Sequence, residues 1–238
     1  MNKFAFGAMV CAAIVIIGCG GGGGGTATTT ATTSTTATTS GNPYHQISSF
    51  VKANNPWPTD RLDLTWTASA TAVAKTLGVG NYFESTHRAV TPRGFAGNWY
   101  SLPANGGWDG TDDPPMSNPD ITIFRTVLTD VYLANKTDAS GKSYQGLGGA
   151  GWPSAFNDKA VQLIKGDSPL ILQIDMDSNR RFVAVTGLEW QVDGTGKVTK
   201  IVKIFIFDPS ASLPSPLTEA NMADLGLTLG GVAWMEPS

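Results

Sequence analysis

The chain is poor in the side chains that most enzymes use to move protons or attack electrophiles. Its 238 residues include two cysteines and two histidines. Cys11 and Cys19 both fall within the N-terminal stretch, so the remainder has no thiol for a disulfide, a soft-metal site or a cysteine nucleophile. Charge is also scarce, at 15% of residues and a formal net of -3. That removes the electrostatic basis for expecting nucleic acid as a partner. No apolar run reaches the ~18 residues that a membrane-crossing helix needs. Asp109, Asp112 and Asp113 lie among glycines but lack the regular ligand spacing and terminal glutamate of a calcium loop. They read as a solvated acidic loop, and neither a metal site nor a cofactor is expected.

What the chain does contain is sharply divided. Lys3 precedes an apolar run from Phe4 to Ile17, the layout of a secretory signal. The tetrad Ile16-Ile17-Gly18-Cys19 resembles a bacterial lipobox. That resemblance implies removal of residues 1–18 and lipid on Cys19. The membrane, reached through that lipid, then becomes a partner, and the location becomes the bacterial cell envelope, at the outer membrane. Gly20 to Gly25 is unbroken glycine and Thr26 to Ser40 is Thr, Ala and Ser alone. Such a tract buries too little to offset its ordering entropy, so residues 19–41 are expected to be a flexible tether to a domain over 42–238.

Within that domain, helical and then strand-like periods follow one another. A short helix is expected over His45 to Val51. Asp63 to Gly80 places Trp66, Ala70, Val73, Ala74 and Leu77 at helical spacing, with Gly78 as its stop. Tyr82 to Asn98 reads as loop or short strand, and Ser101 to Pro119 as an irregular loop. Ile121 to Tyr132 is helical in pattern, Gly141 to Gly151 reads as a loop, and a further helix runs from Ser154 to Gly166. Pro169 to Ile174 fits a buried strand. Arg181 to Val192 and Lys200 to Phe207 form a hairpin about Asp193-Gly194-Thr195-Gly196, ended by Asp208-Pro209. Thr218 to Leu225 reads as a short helix and Gly231 to Met235 as a last strand. Helices first and antiparallel strands second predict an α+β fold.

The segment Thr65-Trp66-Thr67-Ala68-Ser69 resembles the start of the central helix of papain-like and C39-like cysteine peptidases, which reads Cys-Trp-Ala-Ala-Ser. Gly166-Asp167-Ser168-Pro169, the run Arg181-Phe182-Val183-Ala184-Val185-Thr186-Gly187 and Asp208-Pro209 follow in that family's order. The resemblance spans Asn55 to Trp234 and implies a papain-like fold, with N-terminal helices packed on a C-terminal antiparallel sheet. It also places Thr65 where the family has its cysteine, Arg181 where it has its histidine, and Thr59 where it has its oxyanion glutamine. Asp208 matches the third, histidine-orienting position. An arginine stays protonated and cannot act as a base. The resemblance therefore implies a catalytically inactive module that binds a peptide or protein. The alternative is a hydrolase that uses Thr65 as nucleophile, with His45 or His87 brought in from elsewhere.

Two further expectations concern geometry. Counting outward from Gly194-Thr195 sets Arg181 opposite Asp208, an ion pair worth ~0.2–1 kcal/mol if exposed. Trp57, Trp99, Trp108 and Trp152 fall outside the periodic segments. Together with Trp66, the tryptophans at 99, 108 and 152 are candidates to line one binding groove.

Overall fold

The computed structural model describes residues 41–79, 90–125, 144–177 and 179–237. The leader, Cys19, the tether and His87 lie outside the described residues. The chain divides after Ser40, and Gly41–Ser238 forms one unit.

That unit is built on the hairpin with the strongest period-two pattern. Strands β1 (Tyr44–Gln46), β2 (Tyr144–Ala150), β3 (Leu170–Met176), β4 (Asn179–Val192), β5 (Val198–Phe207) and β6 (Leu227–Pro237) form one antiparallel sheet. Its order is β1-β4-β3-β6-β2, with β5 also on β4. The length of β4 lets it be used twice. Val185 faces Leu170 of β3 and Ile206 of β5, and further along Gly187 faces Gln46 of β1 and Phe205 of β5. β1 therefore takes over from β3 along one edge of β4. The architecture is mixed α and β on a six-stranded antiparallel sheet.

Alternation along the strands sends side chains to two cores. Ile171, Phe182, Ala184, Ala233 and Met235 share one core with α1 (Thr65–Thr76) and α2 (Pro92–Tyr100). Ile121 and Phe124, flanking the start of α3 (Ile123–Arg125), join them. Leu170, Leu172, Ile174, Val183, Val185 and Val232 share the other with Ala160, Val161 and Ile164 of α4 (Asn157–Lys165). Helices thus cover both faces of the sheet. The last helix, α5 (Glu219–Asp224), is held by a Thr218–Asn221 capping box before β6.

The central helix is more deeply enclosed than a single apolar stripe implies: every residue from Thr65 to Ala74 is buried. Its alanines and hydroxyl side chains permit close packing on all sides, and Gly78 at φ 72° ends it.

Four segments differ from expectation. His45–Val51 is not a helix: Tyr44–Gln46 pairs with β4, and coil follows. The described part of the glycine-rich Gly141–Gly151 segment is β2, paired along its length with β6. Tyr82–Asn98 contains most of α2, which starts where Thr91 accepts from Gly94 N and Pro92 takes the first helical position. The last strand is longer than Gly231–Met235 and begins at Leu227. The Ile121–Tyr132 helix begins as α3, and its continuation lies outside the described residues.

Candidate functional site

The positions singled out by motif meet where the start of α1 crosses β4. β5 ends opposite Ala184, its last pair being with Phe207. Just past that point α1 takes over: Thr65 Oγ1 accepts from Phe182 N at 2.9 Å, and Ser69 Oγ donates to Phe182 O at 2.9 Å. Thr65 and Ser69 lie one helical turn apart, so one helix face clasps both backbone groups of a single strand residue. The Thr65 hydroxyl proton is directed to Leu62 O at 2.7 Å. Both its donor and an acceptor lone pair are engaged by backbone.

Arg181 is the neighbour of that clasped residue. Its guanidinium Nη1 lies 3.3 Å from Asp208 Oδ2 and donates to Ser212 Oγ at 2.5 Å. The side chains are 6% and 3% exposed, so the ion pair is buried rather than the surface contact priced above. Three register shifts along β4 and β5 displace the simple hairpin count, and the ladder ends at Ala184–Phe207, so Asp208 lies just past it rather than in a strand pair with Arg181. The long arginine side chain spans the difference.

Asp208 is also the hub of its own loop. Oδ1 accepts from Ser210 N and Ser210 Oγ at 2.9 and 2.7 Å, and Oδ2 from Ser212 N and Leu213 N at 2.9 Å each. The carboxylate therefore organises the turn after β5, a hydrogen-bonding pattern typical of aspartate in loops. Arg181 Nε is buried without a hydrogen-bond partner.

The remaining matched positions stand apart. Thr59 is exposed in the turn that follows Pro58 and makes no hydrogen bond to Thr65, Arg181 or Asp208. His45 faces Leu188 on β4, whereas Thr65 is bonded at Phe182. That length of strand is about 20 Å, well beyond proton-transfer reach. His45 Nε2 instead lies 3.7 Å from Asp167 Oδ1.

The entry to α1 is electrostatically fixed. Arg61 and Asp63 make a two-pronged pair at 2.8 and 2.9 Å, and the Asp63 hydrogen bond raises the Arg61 pKa further. Tyr100 shares a 2.6 Å hydrogen bond with Ser117. Burial pushes its phenol above the ordinary range, with the Ser117 contact pulling the other way.

The tryptophans do not form one groove. Trp66 is fully buried against Tyr100 and Phe124, with ring centroids at 6.3 and 6.0 Å. Trp108 packs edge-on against Trp57 in the same core. Trp57 Nε1 donates to Thr67 Oγ1, and Arg93 lies over its ring at 4.9 Å. Trp99 is half-buried beside a 290 Å³ hollow formed with Asn105 and Ser117. Trp152 belongs to the core on the other face of the sheet and donates to Asn157 Oδ1 at 2.9 Å. These side chains plug two cores, as apolar bodies with one polar atom tend to do.

A larger open cavity, about 810 Å³, lies instead between Gln46–Lys52 and Ile206–Ser215. In the sequence its Gln46–Lys52 wall shows only as a short mixed stretch, with Ile47, Phe50 and Val51 among polar residues. Among the described residues no group of three or more potential metal ligands converges, and no helix is long and apolar enough to cross a membrane.

Compared with known protein families and with curated proteins, the chain matches none. Among solved structures it is similar to a periplasmic domain of the EpsAB fusion protein of the Vibrio vulnificus type II secretion system. The identity is 13%, over 66% of this chain and 50% of that one, with a TM-score of 0.28. The match spans half the length of that chain.

Proposed function

We propose that residues 42–238 form a papain-like, C39-like domain that has given up peptide cleavage and binds a peptide or protein ligand. The same reading places it in the bacterial cell envelope, tethered to the outer membrane by lipid on Cys19. One observation carries it. At the α1–β4 crossing, where the family joins its cysteine and histidine, the polar groups of this chain are committed to structure. Thr65 is bonded to Phe182 N and Leu62 O, and Arg181 to Asp208 and Ser212. A nucleophile needs a free lone pair beside a base, and a guanidinium supplies none.

The test compares the unmodified full-length chain with Thr65→Cys/Arg181→His, each offered a peptide library for cleavage and for binding. The expected result is binding without cleavage by the unmodified chain, and cleavage by the double variant. Cleavage by the unmodified chain that Thr65→Ser retains and Thr65→Val abolishes would establish the threonine hydrolase instead. Neither binding nor cleavage by either form would overturn the reading.

A further inference from the structure

The 810 Å³ groove falls within the ~300–1,000 Å³ typical of ligand sites. Its apolar wall comes from Phe50, Ile206, Phe207 and Leu213, and its rim carries Ser48 and Lys52. Phe50 and Phe207, which face each other from its two walls, pack with ring centroids 5.7 Å apart. One wall of the groove reaches Asp208, the partner of Arg181, while the Gln46–Lys52 wall lies away from the start of α1. Val51 N donates to Thr76 Oγ1 at 2.9 Å, which fixes this segment at the opposite end of the helix, about 16 Å along the axis from Thr65.

Charge decides what the groove accepts. Asp208 contributes to its wall, but that carboxylate is almost wholly buried and taken up by Arg181, Ser210 and three backbone N–H groups. Lys52 is exposed and has no ion-pair partner among the described residues. The net unpaired charge on the rim is therefore positive. The Ser48 hydroxyl is exposed beside it and suited to bond a ligand backbone.

We propose that this groove binds an extended acidic peptide segment, with an aliphatic side chain against Phe50 and Leu213 and a carboxylate at Lys52. The proposal deepens the binding function above and rests on it. An apolar wall beside a single cation suits a peptide that alternates aliphatic and acidic residues, since both kinds of group find partners in one pose.

The experiment is fluorescence polarisation with the full-length chain in detergent. The probes are labelled Ala-Leu-Asp-Ala and Ala-Leu-Glu-Ala, their Asn and Gln counterparts, and a random peptide library. The acidic probes bind about two- to fivefold more tightly than their amide counterparts at low salt, and the preference fades as salt is added. Lys52→Glu removes the preference, and Ser48→Trp, an exposed position outside both cores, abolishes binding. Equal binding of acidic and amide probes, or acidic binding that survives Ser48→Trp, overturns the groove assignment. So does library binding without acidic-probe binding; in all three cases the binding function still stands. Failure of every peptide to bind overturns both.

Discussion

Thr65 does with a hydroxyl what a thiol would do poorly: it donates to Leu62 O and accepts from Phe182 N across short distances. A buried amide that loses such a partner costs roughly 1–3 kcal/mol. Thr65→Val, which keeps the shape and removes the oxygen, is therefore expected to lower unfolding free energy by about that amount. Thr65→Ser, which keeps the oxygen, should lose less, and urea denaturation of the two separates hydrogen bonding from packing. Arg181 and Asp208 are unequal partners. Removing Asp208 strands a buried guanidinium with Ser212 and frees the 210–213 loop, so Asp208→Ala should cost about 3–5 kcal/mol. Removing the arginine leaves a carboxylate that still holds three backbone N–H groups, so Arg181→Met should cost less in the same measurement.

Among the elements, β2 shows how glycine content can hide a strand. Gly148 lies opposite Ala233, and a Cβ there would come 2.9 Å from Val232 O and 3.0 Å from Ala233 Cβ. The obstacle is largely backbone, which cannot swing aside. Gly148→Ala should thus cost about 1–3 kcal/mol in urea denaturation and raise amide exchange along β2 and the facing part of β6. The residues that make this close approach possible are the ones that read as loop. α2 was hidden similarly, since Pro92, Gly94 and Gly97 look like breakers, although Thr91-Pro92 is a sound helix start. β1 has only three residues and draws its stability from β4, so no local period could reveal it. α1, α4 and the β4–β5 hairpin were legible because their periods run long enough to fix one face. The Arg181–Asp208 contact was legible through the turn at Asp193-Gly194, though its depth was not, because three bulge-like shifts lie between turn and pair. The groove at Lys52 was not legible, since it joins segments far apart in sequence.

At the scale of the whole molecule, the sheet separates two cores, and ion pairs tie its strands to one another and to α4. Lys203 on β5 meets Glu189 on β4 at 2.7 Å, and Lys159 on α4 meets Glu236 on β6. The Lys203 hydrogen bond, helped by Asn42, holds Glu189 below its ordinary value of 4.5. The Lys159 hydrogen bond, helped by the Trp234 indole, does the same for Glu236. Both carboxyls thus take up protons less readily in the folded chain than in the unfolded one. Stability from these pairs is complete above the unfolded value and is lost as pH falls through the lower folded values, because the unfolded state then binds more protons. The urea midpoint should therefore be level near neutrality and decline once pH drops below about 4.5. Tyr100 works in the opposite direction: its raised pKa means that the unfolded chain releases that proton first, so stability should also fall above about pH 10. Lys159→Met with Lys203→Met isolates the acid limb. It removes the largest cause of both depressed carboxyls, leaving the smaller Asn42 and Trp234 contributions, and leaves Tyr100 in place. The acid decline should become shallower and the alkaline decline should persist; an acid limb unchanged in the double variant would assign that loss of stability to other carboxylates.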